Sequence, residues 1–178
     1  MKNFFTTKRL CRASVIAALY VALTYAFAPF AFGPLQVRPA EALCILPVFF
    51  PEAVPALYIG CMLSNLASPF FIFDVFLGSL ATLFAALASY LVGRLLKKEP
   101  FRLVLCGFFP VAFNAVIIPF IIVFLCGGDA GFSSTSAAYF TYMGSLALTE
   151  SLWVYGLGAP LYLFIQRLQK KSNFEFLS

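Results

Sequence analysis

The feature that most constrains this chain is a succession of long apolar runs separated by three clusters of positive charge. An α-helix rises 1.5 Å per residue, so about 20 apolar residues cross the roughly 30 Å hydrocarbon layer of a bilayer. The 178 residues are 62% hydrophobic and only 11% charged, against roughly 25% charged in a soluble domain. A chain of this size cannot enclose so much apolar surface in a water-soluble core. It reads as a single all-α integral membrane domain, with the lipid bilayer as its solvent.

The distribution of the 12 Lys and Arg residues matters more than the net charge of +5. Lys2, Lys8, Arg9 and Arg12 lie at the start of the first run. Arg94, Lys97, Lys98 and Arg102 flank one interior break, Arg167, Lys170 and Lys171 follow the last run, and Arg38 stands apart. Clusters at three junctions are the pattern of loops retained in the cytoplasm, and they leave no continuous basic face for a phosphate backbone, so no nucleic-acid partner is expected. The stretch 10–32 is too long for a signal-peptide core and has no clear small-x-small cleavage site, so it is expected to stay as a first helix.

Helical spans are expected at 10–29, 72–95, 102–126 and 136–167, between proline-, glycine- and serine-rich or charged breaks. The stretch 39–70 is settled by parity. A single crossing there would put the 94–102 cluster outside, against the positive-inside rule. Pro51-Glu52 is a suitable dividing point, because proline fits the first turn of a helix and a carboxylate complements its dipole. Division gives helices 39–50 and 52–69, hence a six-transmembrane-helix bundle with both termini cytoplasmic. At 1.5 Å per residue the 39–50 helix is too short to span, so it must lie inside the bundle or begin in a recessed loop. The connections 30–38, 70–73 and 127–135 fall outside; the last is glycine- and serine-rich and suits either a moving lid or a plain connector.

Charged side chains cost about 2.5–3.5 kcal/mol near the centre of a bilayer, so each needs a reason. Gln36, Arg38, Glu41, Asn65, Asp74 and Ser79 are placed toward the outer side, and Asn114 and Glu150 near mid-span. Their concentration in the outer half suggests a polar pocket that captures a small solute from outside rather than a continuous channel. Taken singly, Asp74 also suits a helix cap, Arg38 with Glu41 an ion pair, and Asn65 and Asn114 interhelical hydrogen bonding. Glu150 has no basic residue in its own helix before Arg167, so its partner is another helix or a ligand. Trp153, the sole tryptophan, follows on the same face. A carboxylate accepting paired N–H donors, carboxamides that donate and accept, and an aromatic plane together suit a nitrogen heterocycle.

Helix 1 carries two interleaved Ala-x-x-x-Ala patterns, Ala13/Ala17 and Ala18/Ala22, a flat strip for close helix approach either within the bundle or onto another subunit. The five cysteines are odd in number, scattered and without Cys-x-x-Cys spacing, and there is no histidine. Neither a metal nor any other cofactor is expected.

The segments Gly33-Pro34-Leu35-Gln36-Val37-Arg38-Pro39-Ala40-Glu41-Ala42-Leu43, Pro51-Glu52-Ala53 and Asp74-Val75-Phe76-Leu77-Gly78-Ser79-Leu80-Ala81-Thr82-Leu83 resemble the queuosine-precursor transporter (QueT) family. The likeness extends to Asn114-Ala115 and Thr149-Glu150. Pro119, five residues beyond Asn114, departs from the pattern and is expected to bend that wall of the pocket. The resemblance implies a substrate-capture (S) component of an energy-coupling-factor (ECF) importer in the bacterial plasma membrane. Such a component would bind a 7-deazaguanine, either 7-aminomethyl-7-deazaguanine or queuine, and act with one EcfT-type transmembrane subunit and two ATPases. The chain has no Gly-x-x-x-x-Gly-Lys-Ser/Thr loop to hold ATP phosphates itself.

On this reading Glu150 would take the ring N–H and exocyclic amine, Glu41 or Asp74 the aminomethyl cation, Asn65 and Asn114 the carbonyl edge, and Trp153 the ring face. Arg38 would pair with Glu41 and shape the loop, and the alanine strip would meet the transmembrane subunit. Three alternatives remain: an S component for another vitamin, a small intramembrane enzyme using Glu41, Asp74 or Glu150, and a helical scaffold without ligand. No nucleophile arrangement favours the enzyme.

Overall fold

The computed structural model describes residues 6–32, 36–69, 71–96, 98–128 and 131–171, the side chain of Phe71 excepted. Lys2, Gly33-Pro34-Leu35 of the outer-loop motif, Lys97, and Asp129-Ala130 of the glycine-rich connection lie outside them. The described residues are mostly helical and contain no strand.

Helix α1 (Thr7–Ala26) is followed by the single turn α2 (Ala28–Ala31). Pro39–Val48 forms a 3₁₀ helix, a break follows, and α3 covers Ala53–Asn65. The next rod combines α4 (Phe71–Phe73), a π-helical turn (Asp74–Gly78) and α5 (Ser79–Leu95). Another combines α6 (Glu99–Phe120) with a π turn (Ile121–Leu125), and the last α7 (Thr135–Trp153), a π turn (Val154–Gly158) and α8 (Ala159–Lys171). Pro119 does not break α6; it is buried immediately before a π turn.

Among the described residues, three helices are long and apolar enough to cross a membrane: Thr7–Ala26 at 20 residues, Asp74–Leu95 at 22 and Glu99–Leu125 at 27. The exterior is apolar. Leu95, Leu148 and Leu152 are 77%, 74% and 65% exposed, and Phe30, Phe140 and Phe164 also point outward. Five charged residues among those described are buried within it, Glu41 and Asp74 each at 1% exposure. This inverts the arrangement of a soluble protein and identifies a membrane protein.

The segment 39–48 lies at the centre, in contact with α1, α3, α5, α6, α7, α8 and the last π turn, and every residue from Pro39 to Pro47 is buried. It is 3₁₀ rather than α. Runs of 3₁₀ beyond about four residues are uncommon, and this one is bracketed by Pro39 and Pro47, neither of which offers an N–H. A 3₁₀ helix rises about 2.0 Å per residue, so ten residues reach roughly 20 Å where an α-helix would reach about 15 Å. The stretched form carries a short segment farther through the bundle.

Two glycines allow the helices to close on this centre. A Cβ at Gly158 would stand 3.1 Å from the Ala42 carbonyl oxygen; one at Gly60 would meet the Ala17 carbonyl oxygen at 3.2 Å and its Cα at 3.3 Å. The core around them is built from Ile16, Tyr20, Leu43, Leu57, Ala86 and Ile165 among others.

At the end carrying the basic clusters, Arg12 pairs with Glu52 at 3.3 Å and lies over Phe50. The Tyr162 hydroxyl donates to Glu99 Oε2 at 2.6 Å, and Arg102 stands 5.7 Å from the ring centres of both Phe49 and Tyr162. These contacts tie α1, the break after the 3₁₀ helix, α6 and α8 together.

Candidate functional site

Seen from the side chains upward, the enclosed polar groups form three linked sets. The first is centred on Glu41, in the opening turn of the 3₁₀ helix. The Tyr20 hydroxyl of α1 donates to its Oε1, and the Cys44 thiol donates to Oε2 at 3.1 Å. Tyr20 sits among apolar neighbours in the core of helix 1, where a buried phenol needs a partner. Glu41 supplies it, so both carboxylate oxygens are engaged by the protein.

The second set joins the end of α3 to the first π turn. The Asn65 amide donates to the Asp74 carbonyl at 2.8 Å and to the Cys61 sulfur at 3.4 Å, and the Ser68 hydroxyl donates to Asp74 Oδ2. Asn65 Oδ1, Asp74 Oδ1 and Ser79 Oγ are buried with no hydrogen-bond partner. Gly78 admits Asn65 to this turn, since a Cβ there would lie 3.3 Å from its amide nitrogen. Asp74 makes no side-chain helix cap.

The third set bridges α6 and α7. Asn114 Nδ2 donates to Glu150 Oε1 at 3.2 Å, while Oε2 is buried and unpartnered. Glu150 therefore has a partner on another helix for one oxygen only. Its π turn begins four residues later, and π turns inside α-helices frequently mark functional positions.

Arg38 stands among these sets and corrects the expectation of an Arg38–Glu41 ion pair. Among the described residues the ion pairs are Arg12–Glu52 and Arg102–Glu99, and Arg38 makes none. Its Nε donates to the Ala31 carbonyl at 3.1 Å, its guanidinium lies 5.4 Å from the Phe32 ring centre, and its Nη2 is buried without a partner. Gln36, also buried, adopts a left-handed backbone at φ 43°, an unfavourable conformation for a non-glycine residue held beside the site.

Trp153 is half-buried and packs against Phe27 at 6.4 Å between ring centres, tilted by 56°. The two alanine patterns part company. Ala13 and Ala17 are partly buried toward α3, whereas Ala18 and Ala22 are exposed. Beside the inward pair runs a groove of about 250 Å³ lined by Arg9, Ala13, Ala17, Glu52, Ala56 and Ile59.

Sequence reasoning missed Tyr20, Cys44 and Ser68, the residues that hold the acids. The signal for Tyr20 was a hydroxyl deep in an apolar helix; for Cys44 it was only the three-residue spacing from Glu41. The described residues contain no group of three or more His, Cys, Asp or Glu that could hold a metal ion.

Chemically, the site offers two carboxylate oxygens and an amide oxygen as free acceptors, with a guanidinium N–H and a serine hydroxyl as free donors. Three acids face one base, which favours a ligand rich in donors and positively charged.

An apolar exterior, helices of spanning length and this enclosed polar cluster define a membrane protein with a polar interior. The chain belongs to the QueT transporter family, whose profile matches residues 10–167. It is 39% identical over 84 residues to the "Queuosine precursor transporter QueT" of Lactococcus lactis subsp. cremoris (strain MG1363), a match covering 46% of this chain and 49% of that protein. The matched part is thus about half the length of the curated relative. No solved structure matches this chain significantly.

Proposed function

We propose that this chain is the substrate-capture component of an ECF-type importer in the bacterial plasma membrane, not an enzyme, and that it binds a 7-deazaguanine queuosine precursor. 7-Aminomethyl-7-deazaguanine is the form that suits the site best. Six crossings place both termini and the basic loop in the cytoplasm by the positive-inside rule, so the solute enters from outside. A transmembrane subunit of the EcfT type and two ATPases supply the energy.

The observation that carries this reading is the pair of unpartnered carboxylate oxygens, Glu150 Oε2 and Asp74 Oδ1, enclosed in the interior of a chain of this family. A buried carboxylate with one oxygen unbonded is costly unless a donor arrives. Glu150 is suited to the adjacent ring N–H and exocyclic amine of a deazaguanine, and Asp74 to the aminomethyl cation. Trp153 then flanks the ring rather than lying deep beneath it, and Glu41, held by Tyr20 and Cys44, contributes charge more than contact.

Mass spectrometry of the ligand that co-purifies with the detergent-solubilised protein tests the assignment, followed by calorimetric titration with 7-aminomethyl-7-deazaguanine. Binding at micromolar concentration or tighter is expected. A bound flavin or thiamine, with no heat from the deazaguanine, overturns it.

A further inference from the structure

Resting on the reading above, we infer that Arg38 is the residue that selects a ring carbonyl in the ligand, reading its oxygen through Nη2. Three observations combine. Arg38 is 4% exposed, and its Nη2 is buried with no hydrogen-bond partner. It is fixed by its own anchors, Nε to the Ala31 carbonyl and its plane over Phe32, rather than by a carboxylate. The nearest acid in sequence, Glu41, is already held at both oxygens by Tyr20 and Cys44. The cation makes no salt bridge with a described residue, although the site contains three acids.

An enclosed cation with a free N–H calls for an acceptor; no protein acceptor bonds Nη2, and the ligand supplies one. That acceptor is a neutral atom. Glu41, Asp74 and Glu150 outnumber Arg38, so an anionic ligand group would be repelled by the surroundings that attract the rest of the solute. Glu150 and Asp74 meanwhile need donors. A neutral oxygen next to an N–H and an amine along one edge satisfies all of these demands, and a 2-amino-4-oxo-pyrimidine ring presents that order. Sequence reasoning had given the carbonyl to Asn65 and Asn114, but each of these amides already donates to a protein acceptor, Asp74 and Glu150 respectively.

The test compares affinities for 7-aminomethyl-7-deazaguanine and for its thiocarbonyl analogue, which keeps both N–H donors and replaces the oxygen by a larger and weaker acceptor; the Arg38 variants separate the loss of the acceptor from the change in size. Wild-type protein should prefer the oxo ligand by about tenfold or more, the scale of a charge-assisted hydrogen bond. In Arg38→Gln the preference should fall to about twofold or less, while Glu150→Gln weakens both ligands and leaves the ratio in place. The ratio is independent of how much protein is folded. Should Arg38→Gln not be recovered, Arg38→Met, which keeps an unbranched stem and removes every donor, gives the same readout. A wild-type ratio in the Arg38 variants overturns the role of Arg38 alone. Failure of wild-type protein to bind either ligand overturns the deazaguanine reading beneath it.

Discussion

Replacing Glu150 by glutamine separates a ligand-binding role from a structural one, because the structure gives the two roles opposite signs. Glu150 keeps one oxygen on Asn114 and leaves the other bare inside the bundle. In the liganded protein, Glu150→Gln removes one charge-assisted hydrogen bond, about 1.5–3 kcal/mol, and turns an N–H toward a ligand donor, a further 1–3 kcal/mol for an unsatisfied buried group. The sum of roughly 2.5–6 kcal/mol corresponds to a loss of affinity between about sixtyfold and about twenty-thousandfold. In the unliganded protein, the same change deletes a buried carboxylate with a single partner, and the amide oxygen still accepts from Asn114. The melting temperature should stay level or rise. Titration calorimetry and thermal melting in one detergent give both numbers. Affinity within about threefold of wild type, or a melting point several degrees lower, would show Glu150 to be a packing partner of Asn114 and refute the reasoning.

Tyr20→Phe takes the hydroxyl from Glu41 Oε1 and should lower stability by about 1–3 kcal/mol, read as a fall in melting temperature with ligand absent. Gly60→Val drives side-chain atoms into the Ala17 backbone and should part α1 from α3, with a loss of about 1–3 kcal/mol or failure to accumulate folded protein in size-exclusion chromatography. Ala18→Trp lies on the exposed strip of helix 1 and should leave ligand titration unchanged while abolishing uptake by the assembled importer in vesicles. Binding lost together with uptake would remove that strip from consideration as the docking surface. A bulky residue at Ala17 is a poorer probe, since Ala17 faces α3 as well.

The helical class was legible because apolar runs and charge clusters are one-dimensional signals, and the cost of burying charge singled out the residues that line the interior. Which of them meet was not legible. Asn114 and Glu150 are 36 positions apart, and nothing in either neighbourhood encodes their bond. The Arg38–Glu41 spacing suggested an ion pair, but Arg38 precedes the helix, and its Nε reaches back to Ala31, seven residues earlier. The choice between 3₁₀ and α at 39–48 depends on packing from almost every other helix, which periodicity cannot report. Likewise, the alanine spacing defines two strips, and only the position of Gly60 shows which of them turns inward.

The π turns have a consequence for how this molecule tolerates change. A π turn takes up one extra residue within a single turn, where ordinary α-helix advances by about 100° per residue. In the last rod, Val154–Gly158 lies between Glu150 and Tyr162, so removing one residue from that turn should leave both side chains near their present bearings, with Tyr162 still on Glu99. Removing a residue from the ordinary helix between them would instead swing one against the other by that angle. The π turn is thus the place where this rod can lose a residue without uncoupling Glu150 from the fastening of α8 to α6.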